Sequence, residues 1–238
     1  MKEIRFFYVP NASTSVELPD DEASHALRVL RMESGDEMML TDGNGYFYKA
    51  VVTDISKKRC FYRIEETIKQ TRQWNAHLHL AMAPTKNMDR TEWFAEKATE
   101  IGFNELTFLN CRFSERRVIK SDRIEKILIS AVKQSHKAEK PVLNEMTSFI
   151  DFIKNVSAEQ KFICHCYSEP ELGEKQLLRD VLNKGKSTIV MVGPEGDFSI
   201  DEVKAALDCG FKSVSLGESR LRTETAALVS VHLMNLFT

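Results

Sequence analysis

Thr188-Ile189-Val190-Met191-Val192 runs straight into Gly193-Pro194-Glu195-Gly196, and Ser199-Ile200-Asp201-Glu202 follows after two more residues. A short β-branched run bounded by turn residues reads as a strand buried on both faces. Ser199-x-x-Glu202 is a capping box, and it opens a helix that should stop at Gly210. The unit is therefore strand, glycine turn, helix. The same texture recurs on either side. Leu78 to Met82 reads as a strand, followed by a helical face of Trp93, Phe94, Lys97, Ala98 and Ile101 that ends at Gly102. Leu106 to Leu109 is the next strand. Ser121 can cap a helix with the apolar stripe Ile124, Ile127, Leu128, Ala131 and Val132, and Ser148 can cap another through Val156. Phe162 to Cys164, a helix around Leu177, Leu178 and Val181, the strand Val214 to Leu216 and a last helix from Glu224 to Phe237 complete the series. Alternating strands and helices predict an α/β domain: a mainly parallel sheet with helices on both faces.

The first 70 or so residues read differently. Arg5-Phe6-Phe7-Tyr8-Val9 is a strand candidate, and a short helix is expected from Asp21 to Leu30. Met38 to Leu40 and Phe47 to Val52 flank Asp42-Gly43-Asn44-Gly45, a hairpin signal, and Cys60 to Ile64 returns as a further strand. Several short strands with one helix suggest a small β-barrel. The texture changes at Gln70 to Gln73, so the expected domains are 1–72 and 73–238.

Composition bounds the function classes. The chain has 238 residues, 42% of them hydrophobic, enough for a sizeable core. No apolar run is long enough to cross a bilayer. The opening Met1-Lys2-Glu3-Ile4-Arg5 lacks a signal-peptide pattern, and five cysteines without framework spacing argue against a disulfide scaffold. The expected compartment is the cytoplasm. Net charge is −2, but between Arg112 and Lys140 nine basic residues face four acidic ones. Such a stretch can neutralise phosphates, although a solvated helix face has the same composition.

Glycine-bearing turns also follow the last predicted strand, at Leu216-Gly217, and lead through Leu221-Arg222-Thr223-Glu224-Thr225-Ala226 into the final helix. Without a Cβ, Gly193 and Gly196 let a ligand approach the main chain, and Pro194 stiffens the turn between them. Main-chain groups at neighbouring strand ends can line one crevice and read the edge of an adenine. No Gly-x-Gly-x-x-Gly follows Leu78, and no Gly-x-x-x-x-Gly-Lys-Ser/Thr is present. Neither phosphate cradle is there, so an uncharged or cationic adenosine ligand fits better than a triphosphate.

The residues here resemble a known family. Gly193-Pro194-Glu195-Gly196-Asp197-Phe198-Ser199, together with Leu216-Gly217-x-x-Arg220-Leu221-Arg222-Thr223-Glu224-Thr225-Ala226, is similar to the signature of the RsmE family. Its members are SPOUT-superfamily methyltransferases that modify uracil N3 in small-subunit (16S) ribosomal RNA. Lys86-Asn87-Met88-Asp89, Lys97 to Gly102, Gln134-Ser135 with Pro141, Arg5-Phe6-Phe7 and His25 to Arg31 extend the resemblance over nearly the whole chain. Asp197 stands where the family usually has another glycine, and His136-Lys137 replaces a more usual arginine.

The resemblance implies a SPOUT domain with a trefoil knot, preceded by a PUA-like RNA-binding β-barrel. It implies S-adenosylmethionine as cofactor, a homodimer, and small-subunit ribosomal RNA or the assembled small subunit as partner. The cofactor residues would be His165, Val192, Gly193, Glu195, Gly196, Leu216, Gly217, Leu221, Arg222, Thr223 and Ala226. Arg5, His25, Arg28, Arg31, Arg112, Arg116 and Arg117 would face RNA. Uracil N3–H is a poor nucleophile until its proton is lost. Arg222 and Arg220 are the candidate cations for the developing anion, unless ion pairs with Glu224 or Glu218 occupy them. Glu100 is a candidate base or positioning group, unless it makes a structural bond near its helix end. No metal site is expected: Cys164-His165-Cys166 offers too few ligands, and its cysteines read as buried and inert. Trp93 and Phe94 read as core. Two other functions stay open, a ribose 2′-O-methyltransferase of the same fold and a non-catalytic RNA-binding assembly protein.

Overall fold

A computed structural model describes residues 4–172 and 174–238. Met1, Lys2 and Glu3, used above in the signal-peptide reading, lie outside them. The chain forms two compact units.

The first unit comprises residues up to Arg72 together with Ile129–Lys140. Its strands are β1 (Arg5–Tyr8), β2 (Glu37–Thr41), β3 (Tyr46–Ser56) and β4 (Arg59–Lys69), and α1 is Asp20–Ser24. α1 runs on into a π-helical turn over His25–Val29. The strands form one sheet in the order β1-β2-β3-β4, with β1 parallel to β2 and the other pairs antiparallel. Phe7, Met38, Leu40, Tyr48, Ala50, Val52 and Tyr62 alternate into its core with Ala23 and Ala26 of the helix. Residues 129–140 belong to this unit because the β2–β3 turn pairs with them. Gly45 N–H donates to the Ala138 carbonyl (2.8 Å), Lys140 N–H to the Gly43 carbonyl (3.0 Å), and the Phe6 ring stacks on His136 at 4.0 Å. Burial lowers the pKa of the neighbouring Lys137.

The second unit comprises Gln73–Leu128 and Pro141–Thr238. Its strands are β5 (Leu78–Met82), β6 (Glu105–Asn110), β7 (Val142–Leu143), β8 (Thr147–Ser148), β9 (Gln160–Cys164), β10 (Gln176–Leu177), β11 (Thr188–Val192) and β12 (Lys212–Ser215). Its helices are α2 (Met88–Ile101), α3 (Ser121–Gln134, which ends in the other unit), α4 (Phe149–Asn155), α5 (Leu178–Val181), α6 (Ile200–Asp208) and α7 (Thr223–Phe237). The sheet runs β10-β12-β9-β11-β5-β6-β7, with β8 also on β6, and every pairing is parallel. This is the α/β architecture expected, and β11 is its centre.

All five residues of β11 are buried, and its side chains alternate between two cores. Val190 and Val192 face the layer of α2, α3, α5 and α7, whereas Ile189 and Met191 face α4 and α6. Burial on both faces explains why the run is apolar after Thr188, whose hydroxyl donates to the Lys186 carbonyl. The caps hold in detail. Ser148 and Ser199 accept from Asp151 N–H and Glu202 N–H, and α2 stops at Gly102 with φ 111°. At Gly102 a Cβ would lie 2.4 Å from the Trp74 ring, so shape as well as dihedral angle demands glycine. Two expectations fail. Ser121 is the first residue of α3 rather than its cap. Trp93 is 44% exposed, because the buried stripe of α2 runs through Thr91, Phe94, Ala95 and Ala98.

Candidate active site

The chain steps outward from β5 to β6, returns to lay β9 beyond the vacant place beside β5, and fills that place with β11. Strand order therefore reverses around β11, and such a reversal opens a crevice at the carboxyl ends of the strands. A cavity of about 740 Å³ lies there, within the second unit. Cys164 to Cys166 at the end of β9, Val192 to Asp197 at the end of β11, and Val214 to Thr223 from β12 to the start of α7 form its walls, with Arg90, Lys175, Glu224 and Ala226. All the candidate cofactor residues meet in this one cavity: His165, Val192, Gly193, Glu195, Gly196, Leu216, Gly217, Leu221, Arg222, Thr223 and Ala226.

Each turn has its own mechanical reason. A Cβ on Gly193 would come within 3.0 Å of the Phe198 main-chain nitrogen, and one on Gly196 within 3.2 Å of Phe113 Cβ. These glycines thus also pack the turn closely against the protein itself. Gly217 is different: nothing crowds it, but its φ of +127° is strained for any L side chain. Asp197 also takes a positive φ, 67°, a conformation that short acidic side chains tolerate. Its carboxylate accepts from Phe198 N–H and from Cys166 N–H, each at 2.7 Å, and so ties the β9 and β11 ends together. Glu195 accepts from Lys86 N–H at 2.8 Å and ties in the loop after β5.

The polar side chains of the wall are partly spoken for. Ser213 Oγ gives its one proton to the Leu172 carbonyl (3.1 Å), so toward His165 Nε2, 2.9 Å away, it can only accept. Nε2 therefore carries the proton, and Nδ1 presents a lone pair that has no partner among the described residues. Burial, aided by the Lys175 charge, lowers the His165 pKa and keeps the ring neutral. Glu224 Oε1 lies 3.8 Å from Arg90 Nε, while its Oε2 is buried with no hydrogen-bond partner among the described residues. α7 begins after Arg222 with no side-chain cap on its first N–H groups. Among the described residues Arg220 and Arg222 make no ion pair, and Glu224 pairs with Arg90 instead.

Other candidates lie elsewhere. Glu100 is bonded to Lys97 at 2.8 Å in the last turn of α2. It sits ten residues beyond Arg90, about 15 Å along the helix, and does not line the cavity. Arg5, His25, Arg28 and Arg31 are exposed on the first unit. Arg112 and Arg117 are exposed in the loop after β6, but Arg116 donates to the Thr85 and Lys86 carbonyls. Cys166 is exposed rather than buried; Cys164 is half-buried, its thiol pushed up to about 12 by burial. Sequence reasoning missed Arg90 and Lys175, which carry no local signal and reach the cavity only through tertiary packing.

A parallel sheet with a main-chain cup at the carboxyl ends of β9, β11 and β12 is that of an RNA methyltransferase of the SPOUT class. Residues 72–235 match the RNA methyltransferase domain family, and residues 18–65 match the RNA methyltransferase PUA domain. The chain is 30% identical to ribosomal RNA small subunit methyltransferase E of Buchnera aphidicola, over 90% of its own length and 85% of the relative's. A crystal structure of a probable rRNA-methyltransferase from Porphyromonas gingivalis superposes with a TM-score of 0.90 at 42% identity, covering 98% of both chains. Ribosomal RNA small subunit methyltransferase E from Neisseria gonorrhoeae, solved bound to S-adenosyl methionine, superposes with a TM-score of 0.83 at 26% identity, over 98% of this chain and 97% of that one. The chain belongs to the ribosomal RNA small subunit methyltransferase E (RsmE) family.

Proposed function

We propose that the protein transfers a methyl group from S-adenosylmethionine to N3 of a uracil in small-subunit (16S) ribosomal RNA. The observation that carries this reading is the convergence of three strand ends, two of them glycine-bearing, and two buried acceptors without a partner among the described residues, His165 Nδ1 and Glu224 Oε2, on one nucleoside-sized cavity. S-adenosylmethionine fits that wall chemically. It brings amino and hydroxyl donors for the free acceptors and a carboxylate for uncapped N–H groups such as those opening α7. When bound, its sulfonium supplies a methyl group already activated as an electrophile.

The remaining work falls to the protein. The turns at Gly193–Gly196 and Leu216–Leu221 hold the donor and exclude water from it. Arg222 and Arg220, left without ion pairs among the described residues, stabilise the negative charge that spreads over the uracil as N3 gives up its proton. The Arg90–Glu224 contact keeps Glu224 from neutralising Arg222. Arg5, His25, Arg28, Arg31, Arg112 and Arg117 contact the RNA, and the target base must be unstacked to enter. Within this reading the enzyme is a cytoplasmic homodimer, with domains 1–72 and 73–238, of which residues 129–140 are part of the first compact unit. None of the described helices is long and apolar enough to cross a membrane.

The test is incubation of the purified protein and methyl-labelled S-adenosylmethionine with small ribosomal particles from a strain lacking the enzyme. Nuclease digestion and mass spectrometry should return N3-methyluridine. Label on a ribose, or no label in the presence of bound cofactor, overturns the assignment.

A further inference from the structure

Phe113 is 46% exposed, one residue after Arg112 and shortly before Arg116 and Arg117. A single exposed apolar ring is ordinary on a protein surface. This one differs in how it is held and where it stands. The loop that presents it is rigid. Cys111 N–H donates to Ser114 Oγ (3.0 Å), Ser114 N–H returns to the Cys111 carbonyl (3.1 Å), and Arg112 N–H donates to Glu202 Oε1 (2.8 Å). Arg116 fastens the far side of the loop to the Lys86 carbonyl at 2.7 Å. The ring also stands beside the cavity: a Cβ on Gly196, a cavity residue, would lie 3.2 Å from Phe113 Cβ.

Its neighbours define what could cover it. Arg112 and Arg117 are exposed cations, and the Glu115 charge is matched by Lys86 at 2.7 Å. Around the ring Arg112, Glu115, Arg116 and Arg117 are charged and Ser114 is buried; Val118 is the one large exposed apolar side chain beside it in the described loop, so the described residues form no broad apolar face for a protein partner to cover. A rigid aromatic ring among arginines suits a nucleobase with its phosphates: the π-face stacks and the cations take the backbone. We propose that Phe113 is a stacking platform for an unpaired base of the RNA substrate, seated beside the mouth of the methyl-transfer cavity. This deepens the proposed function and rests on it.

The experiment compares wild type with Phe113→Ala, Phe113→Leu and Phe113→Trp, all as full chains. It measures the Kd for small ribosomal particles without cofactor, then KM and kcat for methylation of the same particles. Phe113→Ala is expected to weaken particle binding and raise KM by about tenfold. Phe113→Leu should resemble Phe113→Ala, because it keeps apolar bulk and loses the π-face, whereas Phe113→Trp should bind as wild type does. Calorimetry should find S-adenosylmethionine affinity unchanged in all three. Wild-type binding by Phe113→Ala or Phe113→Leu overturns the stacking role, as does a change in sedimentation that makes Phe113 a contact between copies. If wild type itself transfers no methyl group, it is the underlying function that fails, and the two failures are distinct.

Discussion

Gly193, Gly196 and Gly217 lack side chains for different reasons, and substitution should separate them. At Gly196 a branched side chain is driven toward Phe113, whose Cβ would lie 3.2 Å from the new Cβ and must give way. Gly196→Val is expected to cost roughly 1–3 kcal/mol of stability through overpacking. It should also lower S-adenosylmethionine affinity by at least about tenfold, because the turn it displaces is cavity wall. Thermal unfolding and titration calorimetry read the two effects, and unchanged affinity would remove this turn from the cofactor site. Arg222 tests the other half of the chemistry. Arg222→Ala should reduce kcat by roughly a hundredfold, as loss of a group acting on transition-state charge does. Cofactor affinity should stay within about threefold of wild type. Equal losses in both would reassign the guanidinium to cofactor binding.

Among the elements, α6 shows how a local signal becomes part of a site. Ser199 and Glu202 close the capping box read from the sequence: Glu202 Oε2 accepts from Ser199 N–H at 2.8 Å, and Ser199 Oγ from Glu202 N–H at 3.3 Å. Glu202 Oε1 also accepts from Arg112 N–H in the loop after β6, which no sequence pattern announces. Ser199→Ala is therefore expected to cost about 1 kcal/mol in urea unfolding and to leave RNA affinity alone. Glu202→Ala should cost more, since a half-buried N–H in another loop loses its acceptor, and should weaken RNA binding as well. Equal behaviour of the two variants would mean that the Arg112 contact contributes nothing.

At the scale of the whole molecule, a buried polar cluster between β5 and β6 links stability to pH. His79 Nε2 is 2.8 Å from Thr107 Oγ1, and Glu105 lies near both His79 and His77. Burial pushes the His79 pKa down to about 4 from an ordinary 6.5. The unfolded chain thus binds a proton in that interval that the folded chain refuses. The stability His79 confers is complete above pH 6.5 and drains away as pH falls toward 4. The pKa of Glu105 is also lowered, against its own burial, by His79, Asn144 and His77, so it adds a loss of the same sign at still lower pH. Between pH 7 and pH 5 the wild type should lose on the order of 1–2 kcal/mol more than His79→Gln, measured by urea unfolding at both pH values. A parallel decline in the two proteins would contradict this.

The alternation of strand and helix, the two-faced burial of Thr188 to Val192, the caps at Ser148 and Ser199 and the stop at Gly102 were all determined by sequence, because each depends on residues a few positions apart. The glycine turns were visible in the same way. Only the tertiary structure decided what those turns face. Strand order places β11 between β5 and β9 and so brings three distant turns to one cavity. Packing sends Arg90 to Glu224 and leaves Arg222 without an ion pair among the described residues, keeps Glu100 a helix length away, and returns residues 129–140 to the first unit through the main chain of Gly43 and Gly45. Short-range preferences are written in neighbouring residues. Partners separated in the chain by up to 134 residues are chosen by the shape and hydrogen-bonding of the assembled core.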